Sequence, residues 1–489
     1  MGAREVWLLP LLPVLTGLAM LAVRSPRRLG QLDLAGSTAV FALALSLARS
    51  VMRGGPLRAL GVLGADAVSV VFVLLITFLF LAVSIYTVGW MRRELPHHHN
   101  LEKYLPYYYA LVHGFVATML VTVLADNLGV LWIAMEATTI TSAILVGFHG
   151  HRYGLEAAWK YIIVTTVGIS FGLFGTVLVY AAAAHAQGDA LGAMSYTAIV
   201  AVAHHLDPGI VRIGFIFVLI GYGTKVGLAP MHMWLPDAHS QAPTPVSALL
   251  SGALIKCALF GIIRFHTIAR GACGPQLSGE LLLFFGLVSV VVATPFILAQ
   301  RDFKRLLGYH SVEHVGIVAL GLGFGGPIGT YGALLHVVNH GVTKALVFFV
   351  AGDAIGRYHT RKMEAIRGLL GVTPLAGTLL LLGAFSLAGV PPFSIFVSEL
   401  MVVRAGIASG HFAAVGLFLL MVVVIFAGLI HHVGSMAFGV APARVDRSPE
   451  SMAGVAGMLL LAVVMLLLGI WIPPSLHGLL ERATEIVLG

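Results

Sequence analysis

The sequence predicts an all-α polytopic membrane protein of about fourteen transmembrane helices. Two of them, helices 7 and 12, are expected to be broken, and the matching breaks hint at two inverted five-helix repeats. Three observations carry the prediction. First, 58% of the 489 residues are hydrophobic and 10% are charged, with a mean hydropathy of +0.96; soluble domains carry about 25% charged residues. Second, windows of about 20 apolar residues recur along the whole chain, and no strand pattern competes with them. Third, two of those windows are interrupted by Gly and Pro and carry charges. Broken backbone at membrane depth survives only where it is buried in protein or lines a wet cavity.

In chain order, the expected spans lie near Val6–Val23, Leu34–Met52, Ala67–Trp90, Tyr107–Leu124, Leu128–Phe148, Ala157–Ala184 and Ile210–Leu228. The second seven lie near Val246–His266, Leu281–Ala299, Leu306–Gly323, Ile328–Gly352, Leu375–Leu400, Phe412–Gly434 and Met452–Ile472. The apolar stretch after MGARE has no small-residue cleavage site and reads as the first span. The expected organisation is helices 1–3 in residues 1–106, one repeat in 107–270, a second in 271–440, and a last helix with its tail in 441–489.

Basic residues sort into alternate loops. One set carries Arg24, Arg27 and Arg28; Arg92, Arg93 and Lys103; Arg152; Arg301, Lys304 and Arg305; Arg357, Arg361, Lys362 and Arg367; Arg444 and Arg447. The opposite set holds Arg53, Arg58, Arg270 and Arg404 and little else. The positive-inside rule puts the first set in the cytoplasm and both termini outside, as an even number of spans allows. The formal charge of +8 therefore reports topology rather than nucleic acid.

Several chemistries are excluded. The 2 cysteines cannot ligate an iron–sulfur cluster. No Cys/His spacing resembles a zinc site, and no phosphate loop, Ser-His-Asp arrangement or nucleotide fingerprint is present. The chain is expected to hold no catalytic residue, metal or cofactor. His97, His98 and His99 read as part of a charged loop, and His431 and His432 as interfacial.

What remains is a set of ionisable groups inside apolar runs. Glu136 lies mid-span in NLGVLWIAMEATTITSAILVGF; it is either neutralised by a cation or carries a proton.

 Thr138 and Thr139 are the neutral partners nearest to it in sequence. Lys225 sits between Gly223 and Gly227, ahead of Pro230 and Pro236, and Lys256 sits inside another apolar run. A lysine near a helix centre costs roughly 2.5–3.5 kcal/mol on insertion scales, so two of them need a reason. They are natural partners for a buried carboxylate, either as a static bridge or as one that opens when a neighbouring charge arrives.

ALLHVVNHGVTKALVFF places His336, His340 and Lys344 at i, i+4 and i+8. Each step of four advances about 400°, so the three stay within roughly an 80° arc over about 12 Å. The stripe suits proton hops through water, with satisfied core histidines as the plainer reading and a metal pair as the weakest. In QRDFKRLLGYHSVEHVG, Asp302, Lys304 and Arg305 read as interfacial anchors or relay members, while Glu313 and His314 lie deeper as relay groups. GAFSLAGVPPFSIFVSEL repeats the proline-broken pattern, with Glu399 beyond the break as the last intramembrane acid. Matching breaks in two halves point to inverted repeats with sites at the midplane.

KVGLAPMHMWLPDAHSQAPTPVSALLSGALIKCALFGIIRF, MEATTI, RDFKRLLGYHSVEHVG, the His336–Lys344 stripe and AGVPPFSIFVSE together resemble the antiporter-like proton-pumping subunits of respiratory complex I. Their relatives occur in multisubunit cation/proton antiporters and membrane-bound hydrogenases. The resemblance covers roughly residues 65–434. It implies that Glu136 and Lys225 are the paired acid and base of a first half-channel and Lys256 the central carrier. It further implies that His336, His340 and Lys344 form the connecting stripe and Glu399 the exit residue.

The Glu313–His314 pair, the length and the missing lateral helix resemble hydrogenase-4 component F of group 4, formate hydrogenlyase-type complexes. Tyr309 and His310 depart from it, standing where such relatives often carry small or hydroxyl residues. The resemblance implies a proton- or sodium-translocating subunit in a bacterial or archaeal cytoplasmic (inner) membrane, embedded in lipid among other membrane subunits. Iron–sulfur clusters and a nickel–iron site are expected in a peripheral redox module, not in this chain. The other expectations are a complex I pumping subunit, a cation/proton antiporter subunit, an inorganic-carbon uptake subunit with a zinc-dependent soluble partner, and a non-pumping scaffold.

Overall fold

A computed structural model describes residues 2–94, 101–188 and 192–489. His97, His98 and His99 lie outside the described residues. The chain folds into α1 (Gly2–Met20), α2 (Pro26–Gly54), a hairpin of β1 (Leu57–Ala59) and β2 (Leu63–Ala65), α3 (Ala67–Glu94), α4 (Leu101–Leu124), α5 (Leu128–Val146), α6 (Arg152–Gln187), the short α7 (Tyr196–Ala201) and α8 (Pro208–Val226). Then come α9 (Trp234–Gln241), α10 (Thr244–Leu249), a π turn (Leu250–Leu254), α11 (Ile255–Cys273), α12 (Pro275–Leu298), α13 (Phe303–Phe324) and α14 (Gly326–Tyr358). The last part holds α15 (Leu369–Val372), α16 (Pro374–Leu387), α17 (Ser394–Ala408), α18 (Phe412–Ala437), α19 (Met452–Ile470) and α20 (Pro474–Leu488).

Among the described residues, 11 helices are long and apolar enough to cross a membrane, which makes this a multi-pass membrane protein. The expected α1 and α13 spans and the broken α16–α17 fall outside that set, so length and composition alone do not fix a count of fourteen. In α13 the cause is visible in its sequence, because Tyr309, His310, Glu313 and His314 dilute its apolar character. The hairpin was not expected. Its strands have 3 residues each, too short to show alternation, and it turns through Leu60 and Gly61 at φ 56° and 69°.

Burial ranks the helices. The Thr244–Cys273 segment is 100% buried over its apolar window and α14 94%, against 28% for α18. The segments that carry Lys256 and Lys344 therefore run through the centre. Around α14 pack α3, α10, α13, α16, α17, α19 and α20, so its polar stripe is shielded from lipid on all sides.

Both expected breaks are present. α8 stops at Val226 because Gly227 takes a left-handed φ of 87°, and the backbone amides of Gly227 and Leu228 both donate to Gly223 O at 2.9 Å. The chain resumes a helix only at Trp234. The second interruption separates α16 from α17, with Gly389 at φ 63° and Pro391 and Pro392 inside it.

Side chains fasten the two ends of the bundle. At one end Asp66 receives Arg264 Nη1 at 2.6 Å and Nη2 at 2.8 Å, joining the start of α3 to α11. At the other end Asp353 binds Arg357 Nε at 2.9 Å and Arg93 Nη1 at 2.5 Å. Arg357 is thus not a loop charge as the sequence suggested; it is fully buried within α14 and also donates to Ser448 O at 2.7 Å. Lys304 is not an interfacial anchor either. It is buried and donates to Ala242 O at 2.9 Å, latching α13 to the segment between α9 and α10. Asp302 caps α13, accepting from Arg305 N at 3.0 Å.

Candidate functional site

Three helices build a first polar group. Lys225, the next-to-last residue of α8 before its break, is fully buried and donates to Thr139 Oγ1 at 2.6 Å and to Tyr161 OH at 2.8 Å. Thr139 reaches Glu136 Oε2 at 3.3 Å, and Thr166 Oγ1 donates to Glu136 Oε1 at 2.7 Å. The expected Glu136–Lys225 pair is therefore not a direct ion pair; a threonine hydroxyl stands between the two charges. Thr138 does not serve Glu136, since its hydroxyl donates to Met135 O at 2.6 Å.

The break positions this group. Trp234, the first residue of α9, donates Nε1–H to Thr224 O at 2.8 Å and stacks on Tyr161 with centroids 4.5 Å apart. Tyr161 OH lies 2.8 Å from Ser142 Oγ, whose own proton goes to Thr138 O at 2.5 Å. The tyrosine hydroxyl thus accepts from lysine and donates to serine, a continuous chain of donors and acceptors.

A second group surrounds Lys256. The π turn over Leu250–Leu254 widens the helix just before it, and Lys256 Nζ donates to Ser251 O at 2.6 Å. Such bulges free a carbonyl from the regular ladder and recur at functional sites. Lys256 Nζ also lies 2.7 Å from His340 Nδ1. The His340 ring stacks on His314 at 4.6 Å, and His314 Nδ1 lies 3.0 Å from His336 Nε2. Glu313 Oε2 is 2.7 Å from His310 Nδ1, and Lys344 Nζ donates to Leu307 O.

His336 leads to the second break. Its Nδ1 lies 3.0 Å from Ser398 Oγ, which itself donates to Ile395 O at 2.9 Å. Glu399 follows on α17, its carboxylate packed against Gly389, where a β-carbon would collide with it. The glycine of the break is thus required twice, for its positive φ and for the space Glu399 fills.

All nine expected residues are accounted for in these groups. Lys256, His340, His314, His336 and Glu399 come together, and Glu313 and Lys344 flank them on α13 and α14. Glu136 and Lys225 form a separate group, and no direct hydrogen bond among the described residues joins it to the second. Several members were missed in the sequence. His310 stands three residues before Glu313 and four before His314, a helical spacing that could have found it. Tyr161, Ser142, Ser398 and the Ser251 carbonyl carried no comparable signal.

The fold and this buried file of ionisable side chains define a membrane-bound cation-translocating subunit. The chain belongs to the family described as NADH:quinone oxidoreductase/Mrp antiporter, TM, whose model matches residues 125–426. It is 36% identical over 384 residues to a "Hydrogenase-4 component F homolog" of Methylacidiphilum infernorum (isolate V4), covering 78% of this chain and 80% of that protein. It is 30% identical over 391 residues to "NADH-quinone oxidoreductase subunit N" of Desulforudis audaxviator (strain MP104C), covering 77% and 75%. Its fold matches a chain of the membrane-bound sulfane sulfur reductase, an archaeal respiratory membrane complex, with a TM-score of 0.87 at 23% identity, covering 99% of this chain and 97% of that one. The family resemblance read from the motifs is borne out.

Proposed function

We propose that this chain moves protons, with sodium ions as the second candidate cation, as a membrane subunit of a redox-driven respiratory complex of the group 4 hydrogenase, formate hydrogenlyase type. The observation that carries the reading is the unbroken contact from Lys256 through His340 and His314 to His336, buried in the centre of the bundle. Similarity to the component F homolog supports the choice of complex. The partners would be further membrane subunits and a peripheral module holding iron–sulfur clusters and a nickel–iron site. The membrane would be the bacterial or archaeal cytoplasmic (inner) one, with both termini outside, as the loop charges suggest.

Glu136 is half-buried on α5, whose Ile133 and Ile140 are exposed on the lateral surface. A charge arriving in a neighbouring subunit can therefore act on it. As Glu136 turns away, Thr139 loses its acceptor and Lys225 loses the negative charge that favours its ammonium form. Its proton then passes to Lys256 through water admitted between the two groups. From Lys256 the imidazoles carry it towards Glu399, each ring taking a proton on one nitrogen and releasing one from the other.

The test is proton uptake by vesicles holding the intact complex. Lys225→Ala and Glu136→Ala should abolish uptake while the complex still assembles; normal coupled uptake in assembled variants would end this reading. Transport driven by a sodium or pH gradient alone, with no redox partner, would move the assignment to a cation/proton antiporter, which the family's description also includes.

A further inference from the structure

The far half of the line has the make-up of a metal site as well as of a proton path. His314, His336 and Glu399 come from three helices, are buried, and each place one ligand atom within 4.8 Å of the others. Ser398 orients the central ligand. Because Ser398 Oγ gives its proton to Ile395 O, it accepts from His336 Nδ1, so the His336 proton is on Nδ1 and Nε2 presents a lone pair. A hydrogen bond at the far ring nitrogen is how metal-bound histidines are usually held.

That lone pair faces His314 Nδ1 at 3.0 Å. Two nitrogens bound tetrahedrally at about 2.0–2.1 Å stand about 3.3 Å apart, so a small outward shift of one ring suffices. His314 Nε2 is buried without a hydrogen-bond partner and can take the proton that Nδ1 gives up. Glu399 completes three protein ligands with a fourth position open. The other acidic trio, His310, Glu313 and His314, shares His314, but there the His310 nitrogen and the Glu313 carboxylate already satisfy each other at 2.7 Å.

We propose that His314, His336 and Glu399 bind one divalent transition-metal ion of imidazole preference, zinc in the first instance, and that the bound ion holds the relay shut. Metal and moving proton need the same nitrogens, so they exclude each other. A dication there also opposes the ammonium form of Lys256, which touches His340 beside the site. A cavity of about 620 Å³ lined by Tyr331, Met401, Arg404 and His477 lies against the two helices that carry His336 and Glu399. Tyr331 and Arg404 each lie five residues from a ligand, His336 and Glu399, or about 7.5 Å along their helices. The binding half of this proposal stands without the pumping reading; the block rests on it.

The experiment equilibrates the purified intact complex with zinc chloride and counts bound zinc by mass spectrometry. Wild type is expected to hold one more zinc per copy than Glu399→Gln or His336→Gln, while His310→Gln retains it. Equal zinc in wild type and both ligand variants overturns the site. If a ligand variant fails to assemble, cobalt(II) added to wild type reports instead. An intense visible band of a four-coordinate site, displaced by stoichiometric zinc, is expected, and its absence overturns the site. Zinc bound at the site with unchanged vesicle proton uptake overturns the block alone, and none of these binding readouts depends on whether the chain pumps.

Discussion

Lys225 illustrates what a buried charge requires at the scale of one residue. Its ammonium has two hydroxyl partners and a tyrosine ring 4.8 Å away, with the carboxylate one threonine further on. A hydrogen bond to a charged group is worth about 1.5–3 kcal/mol, or roughly 10- to 150-fold in an equilibrium. Thr139→Val removes both the partner and the link to Glu136, so proton uptake should fall by about tenfold or more. Tyr161→Phe leaves that link and should cost less. Initial uptake rates in vesicles of the intact complex decide it, and an unchanged rate in Thr139→Val would remove threonine from the path. Glu136, Lys225, Lys256, His336, His340, Lys344 and Glu399 were legible as charges or imidazoles in apolar runs. Thr139 was legible as a neighbour of Glu136, but its contact with Lys225 was not, because it joins positions 86 residues apart.

The elements are fixed by a few buried polar ties. Asp66 and Ser69 at the start of α3 hold Arg264, which also lies over the Tyr196 ring at 4.3 Å. Removing one member of a buried pair strands the other charge and costs about 3–5 kcal/mol. Asp66→Ala should therefore lower the thermal unfolding midpoint of the detergent-purified complex clearly; an unchanged midpoint would show the tie to be dispensable. Lys304→Met keeps the length of the side chain but leaves the Ala242 carbonyl without its lysine donor, a loss of about 1–3 kcal/mol. Increased proteolytic nicking between α9 and α10 is the expected sign. The breaks were legible, since glycine and proline near a charged residue in an apolar run allow little else. The π turn was not, because nothing in Leu250–Leu254 distinguishes it from ordinary helix.

For the whole molecule, the open matter is what drives it. Gentle-detergent purification from native membranes is expected to bring down a nickel–iron hydrogenase-like large subunit with iron–sulfur proteins, identified by mass spectrometry. Small antiporter subunits without any iron–sulfur protein would give the same residues a different driving force. A complex I assembly or a zinc-dependent soluble partner would each redirect the assignment in its own way. The peripheral helices carry exposed apolar side chains, such as Trp159, Ile163 and Phe171 on α6 and Leu420 and Val423 on α18, as a surface facing lipid or other membrane subunits requires.

The sequence by itself determined the class, most of the membrane-spanning segments, both breaks and the family. Those follow from local composition, since an apolar run of sufficient length and a glycine–proline interruption mean the same wherever they fold. Only the tertiary structure decided which charges meet. It put a threonine between Glu136 and Lys225, took Arg357 and Lys304 out of the loops, and gathered His314, His336 and Glu399 from three helices. The reason is geometric: a helix sets which of its residues share a face, but its rotation against its neighbours is set by packing, and packing is a property of the whole bundle.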